Sequence, residues 1–125
     1  MGTLLFTEEQ RTAHIPLWKD TLVSESQREI NWADTKVYVA GHRGLVGSAL
    51  VRALEAKGAG EIVGWTSGEL DLRERDATID AVNEAKPDIV IDAAARVGGI
   101  MANSTYPVDF LKDNMLIQTN IMDGA

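Results

Sequence analysis

The sequence predicts an α/β fold containing the first strands of a doubly wound parallel sheet, and three observations carry that prediction. From Lys36 onward, short β-branched runs alternate with segments of helical period, and a glycine or proline marks most junctions. Ile89, Val90 and Ile91 are apolar at consecutive positions, the pattern of a strand covered by helices on both faces of a parallel sheet. In VYVAGHRGLVGSALVRAL, residues 37–54, three glycines at strict three-residue spacing separate a strand pattern from a helix pattern.

Taken in order, residues 1–35 stand apart as an N-terminal extension or linker: polar, without a clean period, broken by Pro16. A short helix from Ser24 or Ser26 is compatible with that stretch, and Trp18 and Trp32 are expected to dock on the domain surface. Residues 36–125 then form the domain. KVYVA is a β-branched and aromatic strand, SALVRALEAKG an amphipathic helix closed by Gly58, and EIVGW a second strand. ELDL, residues 69–72, reads as a short third strand. In RERDATIDAVNEAK, Ile79, Val82 and Ala85 recur at helical spacing before Pro87 stops the helix. PDIVIDAAA is a fourth strand, RVGGIMANSTYP a loop, and VDFLKDNMLIQTNIMDGA a last helix with Phe110, Asn114, Ile117 and Ile121 on one face. The expected sheet order is 3-2-1-4, with a fifth strand to follow. Met101, Met115 and Met122 read as core filler.

Composition excludes several classes of function. The chain of 125 residues is 45% apolar and 25% charged, with a net charge of −7, which argues against a polyanion-binding surface and hence against nucleic acid. No run is long enough to span a bilayer and no export signal is visible, so a cytoplasmic location with no membrane partner is expected. There is no cysteine, which removes thiol catalysis and thiolate metal sites. His14 and His42 have no carboxylate at ligand spacing, so no metal site is expected.

The glycine turn is the feature with a mechanism. Gly41 permits a tight strand-to-helix turn, Gly44 lets backbone approach a pyrophosphate, and Gly47 lets helix and strand pack closely. Amides at the helix start then face phosphate. A glycine turn that serves packing alone is the alternative. Nucleotide choice falls to the end of the second strand, where Trp65, Thr66 and Ser67 offer no carboxylate to accept ribose hydroxyls, while Arg43 supplies a cation for a 2′-phosphate. NADP is therefore expected over NAD. Glu69 is near, but its place at the start of the next strand turns it elsewhere; Arg43 as a solvated surface side chain remains the other reading.

VAGHRGLVGSAL, ELDL and IDAAARVGGIMANSTYPVDFLKDNMLIQTNI together closely resemble the N-terminal half of the cofactor domain in the GDP-L-fucose synthase family. These are GDP-4-keto-6-deoxy-D-mannose 3,5-epimerase/4-reductases among the extended short-chain dehydrogenase/reductases. The resemblance covers residues 36–125, and AAARVGGIMAN with TYP behind it is far more particular to that family than the glycine turn. It implies an NAD(P)-binding Rossmann fold in which Gly41, His42, Arg43, Gly44, Leu45, Val46 and Gly47 wrap the pyrophosphate, with Arg43 at the 2′-phosphate. Ser67 would support that grip with a hydroxyl where the family often has an arginine. Asp71 and Leu72 would lie by the adenine, Ala93, Ala94 and Ala95 beside the ribose and diphosphate, and the VGG turn would lead toward the nicotinamide and sugar. Structural readings stand beside these roles: Asp71 as a turn residue, the alanines as close packing, Asn103 or Asn114 as capping or internal bonding.

The resemblance also implies a cytoplasmic, homodimeric enzyme of nucleotide-sugar biosynthesis, with a nucleotide-sugar substrate. Its proton transfer would use a Ser and a Tyr-x-x-x-Lys pair, with a cysteine and a histidine for epimerisation. No such pair occurs here: Tyr38 is followed four residues on by His42, and Tyr106 by Phe110. No catalytic residue is therefore assigned, and the expectation is a cofactor-binding portion that ends before the catalytic groups and is inactive alone. A related NAD(P)-dependent nucleotide-sugar dehydratase or epimerase fragment, and a non-catalytic NADP-binding module, are the alternatives.

Overall fold

The computed structural model describes residues 29–98 and 100–125. Asn31–Ala125 form one compact unit. Trp18 and the stretch from Ser24 lie outside or at the margin of the described residues, whereas Trp32, in a single 3-10 turn at Trp32–Asp34, packs against the Val37, Val39 and Leu54 cluster.

The regular elements are β1 (Lys36–Ala40), α1 (Leu45–Ala56), β2 (Glu61–Val63), α2 (Arg75–Ala85), β3 (Ile89–Asp92), α3 (Ile100–Thr105) and α4 (Pro107–Gly124). The sheet is parallel with order β2-β1-β3. Tyr38 is in register with Val63 on one side and Val90 on the other. The central strand divides the core by simple alternation. Val37 and Val39 face α1 with Leu54, while Tyr38 and Ala40 face Val82 of α2 and Ile117 and Ile121 of α4. Residues 37–40 are at most 1% exposed.

β3 is half-buried where its run of aliphatics predicts full cover. Ile89 and Ile91 pack on the α1 side and Val90 on the other, so both faces are used, but the strand pairs with β1 alone among the described residues. The fully covered strand is β1.

Two elements differ from expectation. ELDL is a succession of turns rather than a strand. The cause is local: the Glu69 carboxylate accepts hydrogen bonds from the Thr66 amide at 2.7 Å and hydroxyl at 2.8 Å, and Asp71 Oδ1 accepts from the Arg73 amide at 3.0 Å. Acidic side chains thus capture backbone donors that a strand would need. The segment 100–105, expected as loop, is helical; Pro107, at the first turn of α4, ends α3 because the residue before a proline avoids helical geometry. The methionines are not core filler. Met101, Met115 and Met122 are all exposed.

Lys36 ties the amino ends of the strands together. Its amide donates to Asp88, its ammonium to the Ala85 carbonyl, and it pairs with Glu61 at 3.0 Å. α2 ends where Lys86 turns left-handed (φ 47°) just before Pro87, and Gly58 (φ 77°) closes α1. No helix among the described residues is long and apolar enough to cross a membrane.

Candidate functional site

The opposite ends of the three strands frame a cleft of about 820 Å³. Because the chain leaves β1 toward β2 on one side and returns to β3 on the other, the loops after these strands diverge and leave a crevice, the usual place for a ligand in a doubly wound sheet. Gly41–Gly44 form one wall, residues 65–67 and 70–73 the second, and Ala93–Arg96 the third, with Ile117 of α4 behind.

The glycine turn is shaped by steric necessity. Gly41 has φ 73°, and a Cβ there would lie 2.6 Å from the Ala93 carbonyl oxygen and 2.8 Å from Ala94 Cα. A Cβ on Gly47 would collide with the Gly41 carbonyl and lie 2.9 Å from His42 Cα. Those contacts seat α1 directly against the end of β1. Gly44 caps α1 without a side-chain bond, so the first amides of the helix have no side-chain partner there.

Of the residues singled out in the sequence, Gly41, His42, Arg43, Gly44, Ser67, Asp71, Leu72, Ala93, Ala94 and Ala95 all line the cleft. Leu45, Val46 and Gly47 do not: they form the first turn of α1, with Leu45 and Val46 turned to solvent and Gly47 buried on the turn. Trp65 and Thr66, which the sequence placed beside Ser67 at the end of the second strand, line it as well, and so do Leu70, Arg73, Arg96 and Ile117, which were not singled out as site residues. Arg73 and Arg96 each directly follow a foreseen segment, the one signal that points to them.

The cleft is cationic within an acidic chain. Arg43, Arg73 and Arg96 face it with Asp71 as the lone acid in the lining. Asp71 is engaged by Arg73, whose Nε and Nη2 donate at 2.9 and 2.6 Å. These bonds and the Arg73 amide hold the Asp71 carboxyl at a pKa of about 2. Glu69, expected to be turned elsewhere by its place at the start of a strand, lies in a turn instead; its carboxylate is bonded by Thr66, and it is not among the cleft-lining residues. Its pKa is lowered by the Thr66 amide and hydroxyl and, further, by the charges of Arg43 and His42. A carboxylate therefore does stand near the end of β2, with both bonds of one oxygen taken by Thr66.

His42 packs its ring on Gly64, where a Cβ would lie 2.5 Å from ring Cγ, and its Nδ1 is buried without a partner among the described residues. Asn114 bonds internally, accepting from the Arg96 amide at 2.7 Å and donating to its carbonyl at 3.2 Å. Asn103 has no described side chain. Tyr38 lies under the sheet against Trp65, ring centroids 4.8 Å apart, with its pKa raised to about 12 by burial and then by Asp92. A phenol so placed is not an acid or base for neutral-pH chemistry.

The helix start without a side-chain cap and the arginines lining the cleft fit a phosphorylated dinucleotide.

Comparison with known proteins places these features in a wider set. Residues 37–125 match the family described as NAD dependent epimerase/dehydratase. GDP-L-fucose synthase 1 of Arabidopsis thaliana is 51% identical over 90 residues, 72% of this chain and 28% of the relative. GDP-L-fucose synthase of Escherichia coli is 49% identical over 90 residues, with the same coverage. The chain spans a little over a quarter of the length of these curated relatives. Among solved structures, MlghC, a GDP-mannoheptose C4 reductase from Campylobacter jejuni with NADP bound, superposes with a TM-score of 0.69 at 36% identity, covering 74% of this chain and 29% of its own. A GDP-L-fucose synthetase from Naegleria fowleri bound to NADP gives 0.63 at 32% identity, with 74% and 28% covered.

Proposed function

Since the chain belongs to the NAD dependent epimerase/dehydratase family, we propose that residues 36–125 are the NADP-binding portion of a GDP-L-fucose synthase, preceded by an extension at 1–35. The whole enzyme would convert GDP-4-keto-6-deoxy-D-mannose to GDP-L-fucose by 3,5-epimerisation and 4-reduction, as a cytoplasmic homodimer. The carrying observation is the cleft-facing turn Gly41–Gly44 with Arg43, in a 90-residue stretch about half identical to part of proteins named for that activity.

In this reading the amides at the start of α1 receive the diphosphate, which Gly41 and Gly44 allow to approach closely. Arg43 and the Ser67 hydroxyl hold the 2′-phosphate. Leu72 offers an apolar surface to the adenine, and because Asp71 is committed to Arg73, backbone rather than the free carboxylate serves there. Ala93, Ala94 and Ala95 flank the ribose and diphosphate, where larger side chains would fill the cleft. The bound cofactor supplies a hydride for reduction of the C4 ketone. These 125 residues contain no cysteine and no Tyr-x-x-x-Lys pair, so they bind and orient, and proton transfer needs groups outside them.

A second reading is a reductase for another GDP-linked sugar, favoured by the likeness to the mannoheptose C4 reductase. Both readings share the test of the cofactor site. NADPH should bind in preference to NADH by fluorescence titration, and Arg43→Ala should remove most of that preference. A charge-assisted phosphate contact contributes about 1.5–3 kcal/mol, which is roughly a tenfold to hundredfold loss of affinity for NADPH. Equal affinity of the unaltered chain for both nucleotides sinks the assignment. With GDP-4-keto-6-deoxy-D-mannose added, the chain alone should not consume NADPH.

A further inference from the structure

One polar face of α4 reaches both lips of the cleft. Asp113 pairs with Arg96 and, at 3.5 Å, with Arg73. Seven residues on, Asn120 is 2% exposed and its amide donates to the Leu72 and Arg73 carbonyls at 3.0 and 3.1 Å. Between them Asn114 pairs with both backbone groups of Arg96. Arg73 and Arg96 belong to different loops, one after β2 and one after β3; both line the cleft, and both reach the same Oδ2 of Asp113. The Asp113 side chain is 14% exposed, so it is the sheltered member of a network whose arginines are about half exposed.

We propose that Asp113 is a positioning residue for the dinucleotide: by holding Arg73 and Arg96 at once, it fixes the separation of the loops that carry Asp71–Leu72 and Ala93–Ala95. The inference rests on the cofactor reading given above. A lone surface ion pair would do little, because solvent screens it and two long side chains must be immobilised. Here Arg73 is already locked by its fork on Asp71, and the Arg96 backbone is already locked by Asn114. The ordering cost of Arg73 and of the Arg96 backbone is met before Asp113 engages, the Arg96 guanidinium also lies 5.1 Å from the Phe110 ring centroid, and networks of that kind are where ion pairs count. Asp113 also sets the spacing of cation heads that would otherwise repel each other beside the diphosphate.

Charge alone predicts the opposite of the positioning role, and this separates them. Asp113→Asn removes a negative charge next to an anion site, which by Coulomb attraction should tighten NADPH binding. If Asp113 positions the loops, the same change weakens binding roughly threefold to tenfold, on the order of one rearranged polar contact. Asp113→Glu, which keeps the charge and the acceptor, should recover most of the loss. Hydrogen exchange should quicken at the Arg73 and Arg96 amides in Asp113→Asn, with the thermal midpoint and the amides of β1 unchanged. Unchanged or tighter NADPH binding by Asp113→Asn overturns the proposal, as does a loss that Asp113→Glu does not recover. Should the unaltered chain fail to bind NADPH, the cofactor reading falls; the clasp then stands or falls on whether exchange rises at both loops together.

Discussion

Tyr38 shows how one residue couples sheet, cleft and pH. It sits at the middle of the central strand, 1% exposed, with Trp65 against its ring and Asp92 nearby at the end of β3. Burial is the larger cause of its raised pKa and the Asp92 carboxylate the smaller. Asp92 is itself raised by burial, partly offset by the bond its Oδ1 accepts from the Ala94 amide. The folded state therefore prefers neutral Tyr38. Stability from this preference is complete below the ordinary tyrosine value of 10.0 and is lost as pH rises through about 12. In a Tyr106→Phe background, where Tyr38 is the sole tyrosine, tyrosinate absorbance should appear together with loss of the circular dichroism signal. Ionisation near pH 10 with the fold intact would show that the ring is not held as described.

At the scale of the element, the turn from β1 to α1 can be separated into backbone strain and steric closure. Gly41 and Gly58 share a left-handed backbone, φ 73° and 77°. A Cβ on Gly58 meets nothing within 4 Å, whereas one on Gly41 meets the Ala93 carbonyl. Gly58→Ala should cost about 1 kcal/mol, the price of the left-handed conformation for an L-residue. Gly41→Ala carries that cost and must also push the loop after β3 away from the turn, so it should lose roughly 3 kcal/mol or more, in the range of overpacked sites. Urea denaturation of the pair decides it. Equal losses would mean that the contact between the turn and Ala93 relaxes freely, and the cleft wall would then be softer than the geometry implies.

At the scale of the whole fold, two surfaces stand open among the described residues. β3 pairs only with β1 among the described residues, leaving one row of its backbone groups open. α4 buries Ile117, Asn120, Ile121 and Gly124 and turns Val108, Leu111, Met115 and Met122 outward. A net charge of −7 opposes association, but exposed apolar area of this kind outweighs diffuse repulsion at physiological salt, where the screening length is about 8 Å. The chain should therefore self-associate at micromolar concentration in light scattering. A monodisperse monomer with strongly protected Ile89–Ile91 amides would show that the open edge and the apolar face are covered within one chain.

The sequence by itself determined the alternation of strands and helices, the parallel sheet and the turn at Gly41–Gly47, because each depends on local periods and on conformations that only a few residue types accept. Ten cleft-lining residues were also foreseen: those of the glycine turn and Ser67 because they follow the ends of β1 and β2, and Asp71, Leu72 and Ala93–Ala95 through the family resemblance alone. What only the tertiary structure decided depends on meetings between distant parts. The ELDL segment became turns because the Glu69 and Asp71 side chains captured amides, a choice that strand propensity does not express. The burial of β1 and the half-exposure of β3 follow from which strand found neighbours on both sides. Asp113 meets a partner 40 residues before it and another 17 before it, and Asn120 holds carbonyls 47 and 48 residues away. No period or motif encodes such pairings; they exist because α4 packs across α2 and brings its polar face over the loops that the sheet holds apart.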